Sequence, residues 1–309
     1  MRSSEATHHA IINPTVTKCY FTVEVNGTAM IMDISQLTQK YNNFYEKYNF
    51  NKSPTLWNIK NKYISSSFNE DNFRHDNAYV WQVRLGDNIK QYFNYYKKLK
   101  NIDELCLFNK TKEDGSFGCI TWNINGILIS RDLLDSIIEI YFINKHFKNL
   151  GKLNLLEIGA GYGRLCKRYS DCFPDSNFYI TDGIPHSTYL SNIYLKKYGY
   201  QDKNIELYNL ENKLKNLKID LAINIHSFPE QNIKDVEWWV KLISKYKIKY
   251  LFYIPNNPES NPNAINTNSG NSILEVLNKY NYTLKHYSNM FEELNISYSY
   301  SVPFFIFES

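Results

Sequence analysis

The chain has 309 residues, 43% of them hydrophobic and 21% charged, with a net charge of +4. That length fits one large domain, or a domain with a sizeable extension, and the apolar share is enough for a real core. Several classes are excluded: no apolar stretch approaches the ~20 residues of a bilayer span, the dispersed lysines lack the dense basic stripe of a nucleic-acid binder, and residues 1–10 carry no apolar signal region.

Five cysteines at unrelated spacings, with no Cys-x-x-Cys pair, suit reduced thiols in a cytoplasmic protein rather than a disulfide framework or structural zinc site. The 26 tyrosines lie among abundant Asn, Lys and Ile, which reads as compositional bias rather than a stacking surface.

In chain order, residues 1–34 form an N-terminal extension with one alternating run, 19–25, before the turn signal Asn26-Gly27, so a short strand or hairpin is expected. Residues 35–150 read as a mainly helical cap or substrate region. Apolar residues recur at three- and four-residue spacing over 34–48 and 79–99. The clearest helix covers 131–147, with Ser130 placed to cap it and Leu133, Leu134, Ile137, Ile138 and Tyr141 on one face. Gly115, Gly118 and Gly126 mark turns before it.

From 151 to 309 the pattern becomes alternating strands and helices. Strands are predicted at 153–158, 178–181, 205–208, 220–225, 250–254, 282–286 and 303–307, with helices at 165–172, 187–198, 236–243 and 273–280. This order predicts an α/β fold, Rossmann-like, with a seven-stranded mostly parallel sheet covered by helices on both faces. Residues 256–271, rich in Asn, Pro and Ser, form a long loop of the kind that often carries function.

The first of these strands runs into Gly159-Ala160-Gly161-Tyr162-Gly163-Arg164. A glycine-rich turn there lets backbone approach a nucleotide closely. A dinucleotide fingerprint would place its third glycine at 164, where this chain has arginine. Glu157, just before the loop, would repel a pyrophosphate and suits a cofactor with an ammonium tail and a cationic sulfur. Asp182, at the end of the next strand, can accept hydrogen bonds from both ribose hydroxyls. NAD and S-adenosylmethionine both need that contact, and an isolated aspartate would be read as a turn residue.

Glu157-Ile-Gly-Ala-Gly-Tyr-Gly-Arg164, Thr181-Asp-Gly-Ile-Pro185 and Asn224-Ile-His-Ser-Phe-Pro-Glu230 together resemble the class I S-adenosylmethionine-dependent methyltransferases. More narrowly, the chain resembles the sugar O-methyltransferase family found with bacterial surface-polysaccharide genes. Tyr79-Val-Trp-Gln-Val-Arg84 and Arg131-Asp-Leu-Leu-Asp-Ser136 are similar to that family's N-terminal segments, so the likeness covers roughly 75–308. It departs at Gln231, where an apolar residue is expected, and offers nothing for 1–34.

The resemblance implies an S-adenosyl-L-methionine site built from Glu157, Gly159, Ala160, Gly161, Tyr162, Gly163, Arg164, Asp182, Gly183, Ile184 and Asn224. It implies a sugar or nucleotide-sugar acceptor, with Gln82, Arg131 and Ser227 as candidate contacts. Trp81 and Arg84 rank behind them, since arginines at helix starts and tryptophans on helix faces commonly serve packing.

Methyl transfer to a sugar hydroxyl needs alignment and a proton acceptor. His226, just past the fourth predicted strand, is the candidate base, because imidazole titrates near neutrality. Glu230 is the candidate that orients it, and the alternative is a histidine that only caps a helix or lines a pocket. His186 is expected to start the second helix of the domain beside the adenine, and nothing in the sequence places His75 or His286. The strand ends offer Asn224, His226, Asn256 and Asn257, with Glu230 and Glu259 further out; this set is poor in hard anionic ligands, so no metal is expected. The alternatives are a different small-molecule acceptor, or a cofactor-binding interaction module without catalysis. Oligomeric state is left open, a homodimer included, since Trp238-Trp239 could serve an interface or a core.

Overall fold

A computed structural model describes residues 21–25, 28–48, 50, 70–77, 80, 89–256, 261–296 and 302–309. Elements are numbered among these residues. A hairpin, β1 (Phe21–Val25) and β2 (Thr28–Met32), pairs antiparallel and precedes α1 (Ile34–Tyr48). Next come α2 (Ile89–Ile102), the short α3 (Leu107–Lys110), a second hairpin of β3 (Trp122–Ile124) and β4 (Ile127–Ile129), and α4 (Arg131–Phe147).

The α/β portion then runs β5 (Asn154–Ile158), α5 (Arg164–Cys172), β6 (Asn177–Thr181), α6 (Pro185–Lys197), α7 (Leu207–Leu214) and β7 (Leu221–Ile225). It closes with α8 (Ile233–Lys245), β8 (Tyr250–Ile254), α9 (Ile273–Lys279), β9 (Thr283–Ser288), α10 (Met290–Glu293) and β10 (Phe304–Glu308).

One sheet has the order β6-β5-β7-β8-β10-β9, parallel from β6 to β8 and antiparallel at β10 and β9. Successive strand residues face opposite layers: Leu155, Phe252, Phe304 and Ile306 pack with α4 and α5, while Leu156, Leu251, Phe305 and Phe307 pack with α1, α8 and α9. Both faces are thus buried, which is why these strands read as continuous apolar runs. Helix α4 begins where expected, with the Leu133 amide donating to Ser130 Oγ at 3.0 Å. No helix among the described residues is long and apolar enough to cross a membrane.

The sheet has six strands rather than the seven expected. Residues 205–208 are not a strand: Asn204 makes a single parallel bridge to Ile180, and the chain enters α7 at Leu207. The buried positions Leu207, Leu210 and Leu214 follow helical spacing, and Ile205-Glu206-Leu207 only mimicked alternation. Helix α2 starts at Ile89; the expected helix began at 79, and residues 79 and 81–88 lie outside the described ones. The β3–β4 hairpin interrupts the expected helical region, turning on Asn125 and Gly126 with φ of +52° and +83°. Trp239 is buried in the core, and half-buried Trp238 packs edge-on against Phe44 and Phe50, so both serve internal packing.

At the far end of the sheet, His146 of α4 and His286 of β9 meet with ring centroids 4.2 Å apart and planes tilted by 45°, each Nε2 buried without a hydrogen-bond partner. Burial, then the neighbouring His286 and Lys145, push His146 down to about 4, against an opposing pull from Glu293. His286 is lowered too, chiefly by burial. A histidine depressed in the folded state binds its proton more readily when unfolded. Its contribution to stability is therefore present above about pH 6.5 and is lost as pH falls towards 4. The melting temperature is expected to drop across that window, and His146→Leu to flatten the drop; a wild-type melting curve indifferent to pH between 7 and 4 contradicts this.

Candidate functional site

The glycine loop joins β5 to α5, and Gly159, Gly161 and Gly163 all have positive φ, at +73°, +59° and +84°. At Gly159 a side chain is excluded twice, by the backbone and by Ser227, whose Oγ would lie 2.2 Å from an added Cβ. The loop amides turn inward: Gly159 and Ala160 donate to the Thr181 carbonyl at 2.9 and 3.3 Å, and Gly161 donates to Asp182 Oδ2 at 2.9 Å. A pyrophosphate cradle needs such amides aimed at the ligand, and these three are engaged within the fold instead.

Asp182 stands at the end of β6, and its Oδ1 accepts the Ile184 amide at 2.8 Å. Burial pushes its carboxyl up to about 7, against the pull of the two backbone donors. Beside it Gly183 is half-buried, with open space where a Cβ would be. Glu157, at the end of β5, is buried, and its Oε2 has no hydrogen-bond partner. Burial raises Glu157 to about 8; Arg164 opposes this, while Glu139 and Asp182 add to it. A buried carboxylate oxygen without a donor is costly unless something satisfies it.

At the end of β7, His226 adopts a left-handed backbone with φ of +63°, pinned by its amide donating to the Ile254 carbonyl at 2.7 Å. Its Nδ1 lies 2.9 Å from the Pro255 carbonyl. A carbonyl can only accept, so Nδ1 carries the proton and Nε2 is the basic nitrogen. The orienting contact at Nδ1 is therefore Pro255, the role the sequence suggested for Glu230. Glu230 ends the turn Phe228–Glu230 and accepts from Asn256 Nδ2 at 3.2 Å. Its charge also acts on Asp182.

Glu157, Gly159, Gly161, Asp182, Gly183 and Ile184 thus gather at the ends of β5 and β6, beside His226 and Ser227 at the end of β7. Ala160 and Gly163 are buried behind them. His186 falls in the first turn of α6, as anticipated.

Four side chains turn away from their expected roles. The Tyr162 ring is buried, its hydroxyl bonded to the Asp132 carboxylate, and it packs on Phe73 and Tyr194. The Arg164 guanidinium makes a two-pronged pair with Glu139 of α4, at 2.6 and 2.7 Å, so it ties α5 to α4 rather than meeting a cofactor. Asn224 is fully buried and links β5 to the His226 turn, donating to the Ile158 carbonyl at 2.9 Å and accepting from Phe228 at 3.0 Å. Arg131 is buried against Asp135, Asp132 and the Val80 carbonyl at 2.5, 2.6 and 2.8 Å, which fits packing rather than substrate binding. Gln82, with Trp81, Arg84, Asn257 and Glu259, lies outside the described residues.

Sequence reasoning missed Tyr41 and Tyr45 of α1, which reach the turn after β6. The Tyr41 hydroxyl donates to the Asp182 carbonyl at 3.3 Å, and the Tyr45 hydroxyl to that of Gly183. The available signal was their i, i+4 spacing on one helix face, continued within a turn by Tyr48.

No protein-family model matches this chain, and no curated protein sequence does. Among solved structures, it is similar to mitomycin 7-O-methyltransferase at 13% identity, covering 94% of this chain and 79% of that one, with a TM-score of 0.41. The magnesium protoporphyrin IX methyltransferase of Synechocystis PCC 6803, solved with bound S-adenosylmethionine, is 12% identical over 72% of this chain and 95% of its own, with a TM-score of 0.40. The methyltransferase domain of a bacterial Hen1 is 10% identical over 55% and 97%, with a TM-score of 0.41. Superpositions this loose say nothing of activity or substrate.

Proposed function

We propose that this chain is an S-adenosylmethionine-dependent O-methyltransferase whose acceptor is a sugar hydroxyl, in a nucleotide-linked or surface-polysaccharide precursor. The observation that carries the cofactor half is Glu157 Oε2, buried without a donor beside a loop whose first three amides are engaged by Thr181 and Asp182. A cationic ligand offering an ammonium group satisfies that oxygen, and Asp182 accepts from a ribose. The acceptor half is supported by the likeness of residues 224–230 to sugar O-methyltransferases and by the ordered tautomer of His226.

When bound, the sulfonium supplies an electrophilic methyl group. The chain's own part is alignment and proton removal. His226, held through Nδ1 by Pro255, would hold the acceptor hydroxyl's proton on Nε2 as the methyl group departs from the sulfonium, leaving a neutral thioether. Ser227, which Gln231 Nε2 contacts at 2.7 Å, stands between the glycine loop and this base. The test is calorimetry with S-adenosylmethionine, then labelled methyl transfer onto a panel of nucleotide-sugars with the product position read by NMR. Cofactor binding without transfer to any sugar removes the acceptor half; absence of binding removes the whole reading.

A further inference from the structure

The turn Asp182-Gly183-Ile184 is held from outside the α/β portion. Helix α1 lies across α6 and α7, and its phenols meet the backbone beneath it. Tyr41 is fully buried: its oxygen accepts the Leu207 amide at 3.2 Å, lies 2.6 Å from Thr188 Oγ1, and donates to the Asp182 carbonyl. Tyr45, one helical turn on, donates to the Gly183 carbonyl. Tyr48, three residues beyond Tyr45, instead reaches Glu211 of α7 at 3.3 Å. Burial raises the Tyr41 and Tyr45 phenols, with the Asp182 carboxylate adding to both, so each remains protonated and a donor.

Gly183 has no side chain to pack, and the space around its Cα is open. Yet the next amide, that of Ile184, must point at Asp182 Oδ1 for the carboxylate to keep its orientation. Fixing the Gly183 carbonyl fixes the plane of the same peptide unit, because carbonyl and following amide are one rigid group. A hydrogen bond to that carbonyl therefore acts on the carboxylate through two covalent steps.

We propose that α1 is a clasp for the nucleoside turn, with Tyr45 and Tyr41 as positioning residues that set the Asp182 carboxylate for a ribose. This rests on the cofactor reading above. The Tyr45 ring is half-buried and makes an edge-on contact with Tyr41, which phenylalanine preserves. Tyr45→Phe thus removes the bond and little else, whereas Tyr41→Phe also leaves the buried Leu207 amide without its acceptor.

The test is calorimetric binding of S-adenosylhomocysteine and of 5′-methylthioadenosine, which keeps the ribose and adenine but lacks the amino-acid tail. It compares the wild-type chain with Tyr45→Phe, Tyr41→Phe, Tyr48→Phe and Asp182→Ala. For Tyr45→Phe, Kd is expected to rise about three- to tenfold for both ligands, the size of one hydrogen bond. In turnover, KM for the cofactor should rise while kcat at saturating cofactor stays unchanged, a split that general loosening of the fold would not give. Tyr41→Phe should act in the same direction, and Tyr48→Phe should leave both Kd values as in wild type. If Asp182→Ala abolishes binding while Tyr45→Phe and Tyr41→Phe bind within twofold of wild type, the clasp is overturned and the cofactor reading stands. Equal weakening by Tyr48→Phe also overturns it, since α1 is then merely structural. If the wild-type chain binds neither ligand, the reading beneath the clasp fails, and the clasp with it.

Discussion

His226→Ala is expected to lower turnover roughly a hundred- to ten-thousand-fold, with the cofactor Kd within twofold of wild type. The physical ground is the pair of bonds that fixes the residue: the amide to Ile254 sets the backbone, and Nδ1 to Pro255 sets ring orientation and tautomer. On the proposed reading the acceptor is a sugar hydroxyl, a very weak acid, so a positioned base would contribute much of the rate. His226→Asn sharpens the experiment, because asparagine tolerates the left-handed backbone but cannot take the proton. Single-turnover rates and cofactor binding measured on both variants decide the matter. Near-normal turnover in either variant would leave His226 as a lining residue only.

Glu157→Gln should weaken S-adenosylmethionine binding about ten- to a hundredfold, the range for a hydrogen bond to a charged group, while making the ligand-free protein more stable at alkaline pH. The two effects have one cause. Burial holds the Glu157 carboxyl near 8, above its usual 4.5, so the folded state retains a proton that the unfolded state releases. Its contribution to stability is complete below about pH 4.5 and is lost as pH rises through 8. Arg164, Glu139 and Asp182 are the charged groups acting on it, and glutamine removes only the titration at 157. Melting curves between pH 5 and 9 should converge at the acid end and separate at the alkaline end, the variant lying higher. A variant less stable than wild type at pH 9, or one binding the cofactor as tightly, would falsify the assignment.

Much of the fold was legible because the central strands are buried on both faces and α4 starts at a capping serine. Asn154–Ile158, Tyr250–Ile254 and Arg131–Phe147 lie within a residue of their sequence-derived bounds. The failure at 205–208 came from a four-residue run too short to separate alternation from helical spacing.

At the candidate site, the tight turn at the loop glycines and the position of Asp182 at a strand end were legible because their backbone chemistry is local. Arg131 pairs with Asp135 one turn along its own helix, whereas the partners of Arg164, Tyr162 and Asn224, namely Glu139, Asp132 and Ile158, are distant in the chain and chosen by tertiary packing. The same holds for Tyr45, whose acceptor lies 138 positions along the chain.

The left-handed backbone at residue 226 also bears on what this site could become. Histidine, asparagine and aspartate visit that conformation several times more often than other non-glycine residues, and β-branched side chains almost never do. Exchanging the histidine for threonine, or for another bulky residue with different acid–base chemistry, would require the backbone between β7 and α8 to be rebuilt as well. The bond to Ile254 therefore narrows the side chains that mutation can place at this position without moving the backbone.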